Sequence, residues 1–260
     1  MTPRSRGSAA SPADRPVGFF DSGIGGRCVL EAFQRLCPNE RTVYVADTEH
    51  CPYGNRPAEE IRRLSEACVE RLLKQDCKMI VVACNTATAA AISTLRANHP
   101  DIPFVGMEPA LKPAAQTTRS GVVAVLATAG TLRGRHYSET KARFAAGVKV
   151  VAAVADEFVQ LVERGETSGP EVERIVRARV EPLIEAGADR IVLGCTHFPH
   201  LKAVIEKVCD GRAEVVDPSD AVARQAQRVL EARGLLSPKL LPGFSRQRAS
   251  EDGHFFTLSP

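Results

Sequence analysis

The sequence predicts an α/β protein of two similar domains, each a mainly parallel sheet flanked by helices, with a site in the cleft between them. Three observations carry this expectation. Met79–Thr86 (MIVVACNT) and Arg190–His197 (RIVLGCTH) are apolar runs that each end in a cysteine followed at once by hydrogen-bonding residues. A run without alternation suits a strand buried on both faces, and polar residues just beyond it suit the carboxyl edge of a parallel sheet. Strand-like segments also alternate along the chain with segments whose apolar residues keep helical spacing. Finally, 260 residues suffice for two domains, given typical domains of about 100 to 150 residues. The expected division is a disordered extension over 1–16, a first domain over 17–112 plus 218–260, and a second over 113–217. If the halves face each other, Cys84 and Cys195 lie on opposite sides of the cleft.

Taken in order, Met1–Pro16 is rich in Ser, Ala, Pro and Arg without periodicity, hence the expected disorder. Val17–Phe20 forms a short strand. Asp21-Ser22-Gly23-Ile24-Gly25-Gly26 then turns it into a helix with Val29, Leu30, Phe33 and Leu36 on one face. Backbone N–H groups at such a turn can approach an anion. A phosphate is disfavoured, because GxGxxG and a P-loop lysine are absent and Asp21 would repel it. A small zwitterion, or a role for Asp21 as a buried catalytic carboxylate, fits better.

Thr42–Ala46 is the second strand. Pro52-Tyr53-Gly54, inside the polar segment Asp47–Arg56, is a turn carrying an amphipathic phenol, and taken alone it could be a plain surface loop. Pro57, Glu59 and Glu60 open a helix with Ile61, Leu64, Cys68 and Leu72 on one face. Cys84, Asn85 and Thr86 stand where the third strand passes into an alanine-rich helix reaching Asn98. The dipole of that helix is expected to lower the thiol pKa. Ile102–Gly106 is the fourth strand.

The second half repeats the pattern. Gly121–Leu126 is a strand whose turn offers the hydroxyls of Thr128 and Thr131 to a carboxylate. Lys149–Ala153 is a strand, and Asp156–Arg164 follows it with Glu163 near its end, which by itself reads as a solvated helix face. Pro170–Ala186 is a long amphipathic helix feeding the strand that ends at Cys195. Cys195-Thr196-His197 leads into a helix ending near Cys209, then a strand over Glu214–Val216 and a helix over Ala221–Arg233. Phe255–Leu258 is a candidate edge strand.

Composition removes several functions. The net charge of +3, from 34 basic and 31 acidic residues, gives no basic stripe, and 5% aromatics with no Trp give no stacking platform. Nucleic acid is therefore not an expected partner. No apolar run reaches the ~20 residues of a membrane span, and the start lacks a signal-peptide pattern, so a cytoplasmic protein with no membrane partner is expected. The eight cysteines lack the spacing of a disulfide framework and are read as free thiols, mostly small core hydrophobes. A homodimer is one assembly open to the chain.

Asp21-Ser22-Gly23-x-Gly25-Gly26, Asp47-Thr48, Pro52-Tyr53-Gly54-Asn55-Arg56, Cys84-Asn85-Thr86 and Cys195-Thr196-His197, in this order, resemble glutamate racemase of the aspartate/glutamate racemase superfamily. The resemblance runs from Val17 to about Arg233. It departs at Ala127, Gly134 and Ala155, where the family usually has Gly, a nearby Ser, and Cys. The resemblance implies cofactor-independent interconversion of L- and D-glutamate by two-cysteine, two-base 1,1-proton transfer, with no metal, supplying D-glutamate for peptidoglycan. It implies that Cys84 acts on D-glutamate and Cys195, assisted by His197, on L-glutamate. Asp21, His197 and Glu163 would tune or relay protons. Ser22, Tyr53, Asn85, Thr86, Thr131 and Thr196 would hold the substrate's charged groups, with Asp21, Pro52, Gly54, Thr128 and His197 also at the pocket. Tyr53 and Thr196 are read as cleft rather than core residues.

Three other readings compete. A Cys-His hydrolase with His197 as base needs only one thiol, and His197 would have to bend back to Cys195. A zinc site of Cys84, Cys195 and His197 lacks the local C-x₂₋₄-C pairs that such sites use. A superfamily member acting on aspartate or another small acid keeps the two-thiol logic, although Pro-Tyr-Gly and Cys-Thr-His favour glutamate. The α-hydrogen of an amino acid is a very weak acid, so without pyridoxal phosphate the site must exclude water, position donors and hold a thiolate in near-attack geometry. Sulfurs on either side of Cα would then lie about 6 to 7 Å apart.

Overall fold

Strands that are apolar on both faces must be covered on both, and helices with a single apolar stripe supply the cover. The structure, a computed structural model, describes residues 11–108, 110–237 and 255–258 and contains two such layered units. The first runs β1 (Val17–Asp21), α1 (Arg27–Leu36), β2 (Thr42–Ala46), α2 (Ala58–Lys74), β3 (Met79–Val82), α3 (Asn85–Asn98) and β4 (Phe104–Gly106). The second runs α4 (Leu111–Thr117), β5 (Val122–Ala127), α5 (Ala129–Arg133), α6 (Arg135–Phe144), β6 (Lys149–Val154), α7 (Asp156–Glu163), α8 (Pro170–Glu185), β7 (Arg190–Gly194), α9 (Lys202–Cys209) and β8 (Glu214–Val216). The chain then returns as α10 (Ser219–Ala232), and β9 (Phe255–Leu258) pairs antiparallel with β2 at the edge of the first sheet.

The sheet orders are β4-β3-β1-β2-β9 and β6-β5-β7-β8. With β9 set aside, the second sheet repeats the first, β5 standing for β1 and β7 for β3. All pairings other than β2 with β9 are parallel, with Val17 opposite both Thr42 and Met79 in one sheet and Val123 opposite Val150 and Arg190 in the other. Strand period two sorts side chains to opposite faces. Met79 and Val81 join the core under α1 and α10, whereas Ile80 and Val82 join the core under α2 and α3. In the second unit Ala124, Leu126, Ile191 and Leu193 face α7, α8 and α9, and Val123, Val125 and Val192 face α4. Val222, Ala223, Ala226 and Leu230 seat α10 against the first sheet.

One expectation is corrected at the amino end. Residues 1–10 lie outside the described residues, but Ser11–Pro16 is ordered. Ser11 caps a short 3-10 turn over Pro12–Asp14 and donates its own N–H to the Asp14 carboxylate, and Lys78 Nζ donates to Ala13 O at 2.5 Å. Lys78 is itself paired with Glu40 at 2.6 Å, both side chains at most 2% exposed. The attraction within a buried pair of this kind is largely offset by the cost of desolvating both charges. Of the tail from Gly234, only the residues to Ser237 and the strand Phe255–Leu258 lie within the described set.

Candidate active site

In an open parallel sheet, the crevice for a ligand forms beyond the carboxyl ends of strands whose connections leave in opposite directions. In these two sheets those strands are β1 with β3, and β5 with β7. Asp21 and Ser22 end β1, Cys84 follows β3, Thr128 follows β5 and Cys195 follows β7. The two thiols therefore occupy equivalent places in the two units, and both line one small cavity.

On the first side, Cys84 is the N-cap residue of α3, and its Sγ accepts from Ala87 N–H at 3.4 Å. It also donates to Ser22 Oγ at 3.7 Å. Burial, then the negative charge of Asp21, push the Cys84 thiol well above its usual pKa, and the Ala87 N–H pulls it only partly back. The depression expected from the helix start is thus outweighed by desolvation. Asp21 is fully buried beneath the cavity, its Oδ2 accepting from Gly26 N–H at 2.8 Å and from Thr196 Oγ1 at 3.5 Å. Burial raises its own pKa against the opposing pull of His197.

On the second side, His197 does bend back, with Nδ1 3.8 Å from Cys195 Sγ. Its Nε2 lies 2.5 Å from Glu163 Oε1, which also accepts from Ile24 N–H at 2.9 Å. Burial draws the His197 pKa down, but hydrogen bonds with Cys195, Cys51 and Glu163 overcome it and hold the ring well above its ordinary value. Glu163 goes the other way, because its bonds to His197 and Ile24 outweigh the cost of burial and lower its pKa. Glu163 is therefore a partner of His197 and not a solvated face.

The glycine-rich turn has a packing reason that its sequence does not display. A Cβ on Gly25 would sit 2.5 Å from His197 Nδ1, and one on Gly23 would sit 2.0 Å from Glu163 Oε1. The turn is flat so that side chains of the other unit can reach across it.

The cavity wall contains Ser22, Pro52, Tyr53 and Gly54 from the first unit's loops and Cys84, Asn85 and Thr86 from the start of α3. Thr128, Cys195, Thr196 and His197 face them from the second unit, together with Val159 of α7. Thr131 stands behind this wall, where its hydroxyl, Thr86 Oγ1 and Thr128 Oγ1 lie 3.0 to 3.4 Å from one another. Asp21 and Glu163 are likewise one layer back. The three departures from the family pattern are also off the wall: Ala127 and Ala155 are in the core, and Gly134 packs on Ala89.

Tyr53 needs a correction, since it is both wall and core. It is 1% exposed, packs among Ile61, Leu64 and Cys68, and donates to Asp47 Oδ2 at 2.6 Å. The phenol can be buried because Asp47 satisfies its hydroxyl. Val159 and Cys51 were not singled out by the sequence. Val159 is one of several apolar residues with helical spacing, and nothing local distinguishes a valine facing a cavity from one facing a core.

Asn85 is the unusual polar group. It is 4% exposed, and neither its Oδ1 nor its Nδ2 has a hydrogen-bond partner. Leaving a buried polar atom unpaired costs about 1 to 3 kcal/mol, so an amide held this way in a cavity is suited to a polar ligand. The cavity volume is only about 10 Å³, which is room for roughly one water.

The sequence matches the family description "Asp/Glu/Hydantoin racemase" over residues 27–226. The chain belongs to this racemase family. A glutamate racemase from Ectopseudomonas mendocina is 46% identical over 222 residues, covering 85% of this chain and 84% of that protein. Among solved structures, Escherichia coli glutamate racemase in complex with L-glutamate superposes with a TM-score of 0.77 at 31% identity, covering 92% of this chain and 91% of that one. Francisella tularensis glutamate racemase in complex with D-glutamate gives a TM-score of 0.77 at 28% identity, covering 87% and 84%. The arrangement of two α/β units is therefore shared with these glutamate racemases, and membership in the family makes the chain an isomerase. Among the described residues no helix is long and apolar enough to cross a membrane.

Proposed function

We propose that this protein interconverts L- and D-glutamate by 1,1-proton transfer, with Cys84 and Cys195 as opposed bases. The observation that carries the reading is that two thiols from equivalent strand ends line one cavity from its two sides. From L-glutamate, the Cys195 thiolate takes the α-proton while the Cys84 thiol delivers its own proton to the opposite face. The products are D-glutamate, a Cys195 thiol and a Cys84 thiolate, and the reverse reaction runs from that state.

Each thiol is served by a different neighbour. Nδ1 of His197 can hold or move a proton at Cys195, and Glu163 keeps that ring oriented and charged. Cys84 faces Asp21, which disfavours its thiolate in the closed, desolvated site. A substrate ammonium near Asp21 would offset that charge, so substrate itself promotes the base. The Asn85 amide and the Thr86 and Thr196 hydroxyls supply donors for the carboxylate, where negative charge grows as the proton leaves. Water exclusion by the closed cavity strengthens each of these interactions.

Because the closed cavity is smaller than the substrate, the two units, taken as domains over 17–112 plus 218–260 and over 113–217, separate to admit it. The D-glutamate formed would serve peptidoglycan synthesis. Incubation in D₂O followed by proton NMR of the α-position tests the assignment. Exchange into both enantiomers of glutamate, and much slower exchange into aspartate, is expected. Preferential exchange into aspartate, or none into either, would overturn it.

A further inference from the structure

A second cluster of donor atoms lies directly behind the Cys195–His197 pair. Sγ of Cys51, a carboxylate oxygen of Glu163 and a ring nitrogen of His197 all lie within 4.8 Å of one another. They come from three separate parts of the chain: the turn after β2, the end of α7 and the loop after β7. Cys51 belongs to the first unit and the other two to the second.

We propose that Cys51, Glu163 and His197 form an inhibitory site for a thiophilic divalent cation of the zinc class, which staples the two units together. Thiolate, imidazole and carboxylate together match zinc, and a thiolate donor disfavours magnesium and calcium, which take oxygen. Three protein donors leave a fourth position for water, as in open zinc sites. The donors are already placed. Glu163 is held by Ile24 N–H at 2.9 Å, and His197 lies flat on Gly25. Cys51 packs against the core of the second unit.

Cys51 and Glu163 are partly exposed whereas His197 is buried, so the cation reaches the ring from the Cys51 side. Coordination releases the Cys51 thiol proton and the proton on the His197 ring nitrogen to solvent. It also replaces the His197–Glu163 hydrogen bond with bonds to the metal. Two effects on turnover follow: the ring can no longer exchange protons at Cys195 while Glu163 orients it, and a cation tied to both units opposes the opening that substrate entry needs. Inhibition therefore rests on the racemase reading, while binding does not.

The test uses chelator-treated full-length protein with zinc chloride in equilibrium dialysis, and cobalt(II) as a spectroscopic stand-in. Wild-type protein should bind one ion per chain in the micromolar range and give a thiolate-to-cobalt charge-transfer band. Cys51→Ser should lose the band and at least about 100-fold in affinity, since outer-shell changes alone cost 10- to 100-fold. Its turnover, compared with and without zinc, should be insensitive to the ion, whatever its zinc-free level. Cys51→Val gives the same readout should the serine variant fold poorly. No wild-type binding at micromolar zinc, or a Cys51→Ser variant that keeps the band and the inhibition, overturns the proposal, and the latter points to Cys84 and Cys195 instead. Dialysis and the cobalt spectrum stay informative even if glutamate is not the substrate.

Discussion

Cys84 and Cys195 are equivalent in topology and unlike in surroundings. One lies beside the Asp21 carboxylate and the other beside the His197 ring. Serine holds the place of either thiol but is a far poorer base, so each Cys→Ser change should cut racemisation by about 10² to 10⁴, the range of a positioned acid or base. The residual rates should differ in direction. Primary isotope effects with α-deuterated substrate should grow for D-glutamate in Cys84→Ser and for L-glutamate in Cys195→Ser. Identical asymmetries in the two variants would contradict the two-base assignment. His197 can be moved without being mutated. A Gly25→Ala methyl would stand 2.5 Å from Nδ1, and a displacement near 1 Å can cost about 10²-fold in rate. That loss should fall mainly on the reaction from L-glutamate, and equal losses from both enantiomers would disconnect His197 from Cys195.

At the scale of elements, the second unit is tied together far from the site by Asp189, at the amino end of β7. Its carboxylate accepts from Thr118 Oγ1 at 2.5 Å and from the N–H groups of Arg119 and Ser120 at 2.6 and 3.1 Å, joining the exit of α4 to the sheet. Burial alone would raise its pKa, but these bonds dominate and bring it from 3.8 to about 2. A depressed carboxylate contributes stability that is present above its ordinary pKa and lost as pH falls through the folded value. The contribution is therefore full above about pH 4 and gone below about pH 2. Because the carboxylate lies near solvent, which screens its interactions, Asp189→Asn should cost only about 1 kcal/mol in denaturant melts at neutral pH and flatten the stability profile across that acid window. Activity at neutral pH and moderate temperature should be kept. A variant profile parallel to wild type between pH 4 and 2 would show that Asp189 is not the group titrating there.

At the scale of the molecule, the two units meet at the lip of the cavity. A Cβ on Gly130 of α5 would fall 2.7 Å from the carbonyl oxygen of Gly54, backbone that cannot rotate away. Gly130→Ala should hold the units slightly apart at closure. Overpacking of this kind costs about 1 to 3 kcal/mol, borne here by the closed state. Expected outcomes are weaker turnover with both enantiomers, a thermal midpoint changed little, and faster amide exchange around Gly54 and Thr128. Normal kinetics in this variant would mean that closure does not require this contact.

The order of strands and helices was legible in the sequence because burial on two faces and burial on one leave different periods. Met79–Val82 and Arg190–Gly194 read as strands for that reason, and their cysteines were found because polar residues follow an apolar run abruptly. The layer behind the wall was legible only in part: Asp21 and Thr131 stood at strand-to-helix turns, whereas Glu163 looked by itself like any exposed helical carboxylate and was named only through the family resemblance. Val159 on the wall looked like any core valine, and Cys51 carried no local signal, since their partners lie on other elements and no local pattern encodes a contact across units. Thiol chemistry was misjudged for the same reason: the helix start at Cys84 is local and visible, but the desolvation and the Asp21 charge that outweigh it exist only once the chain is folded. Local periodicity and abrupt polarity changes thus determined the elements and the two thiols. The tertiary structure alone decided the protonation and orientation of the site's groups, because these depend on fields and excluded volume from residues remote in the chain.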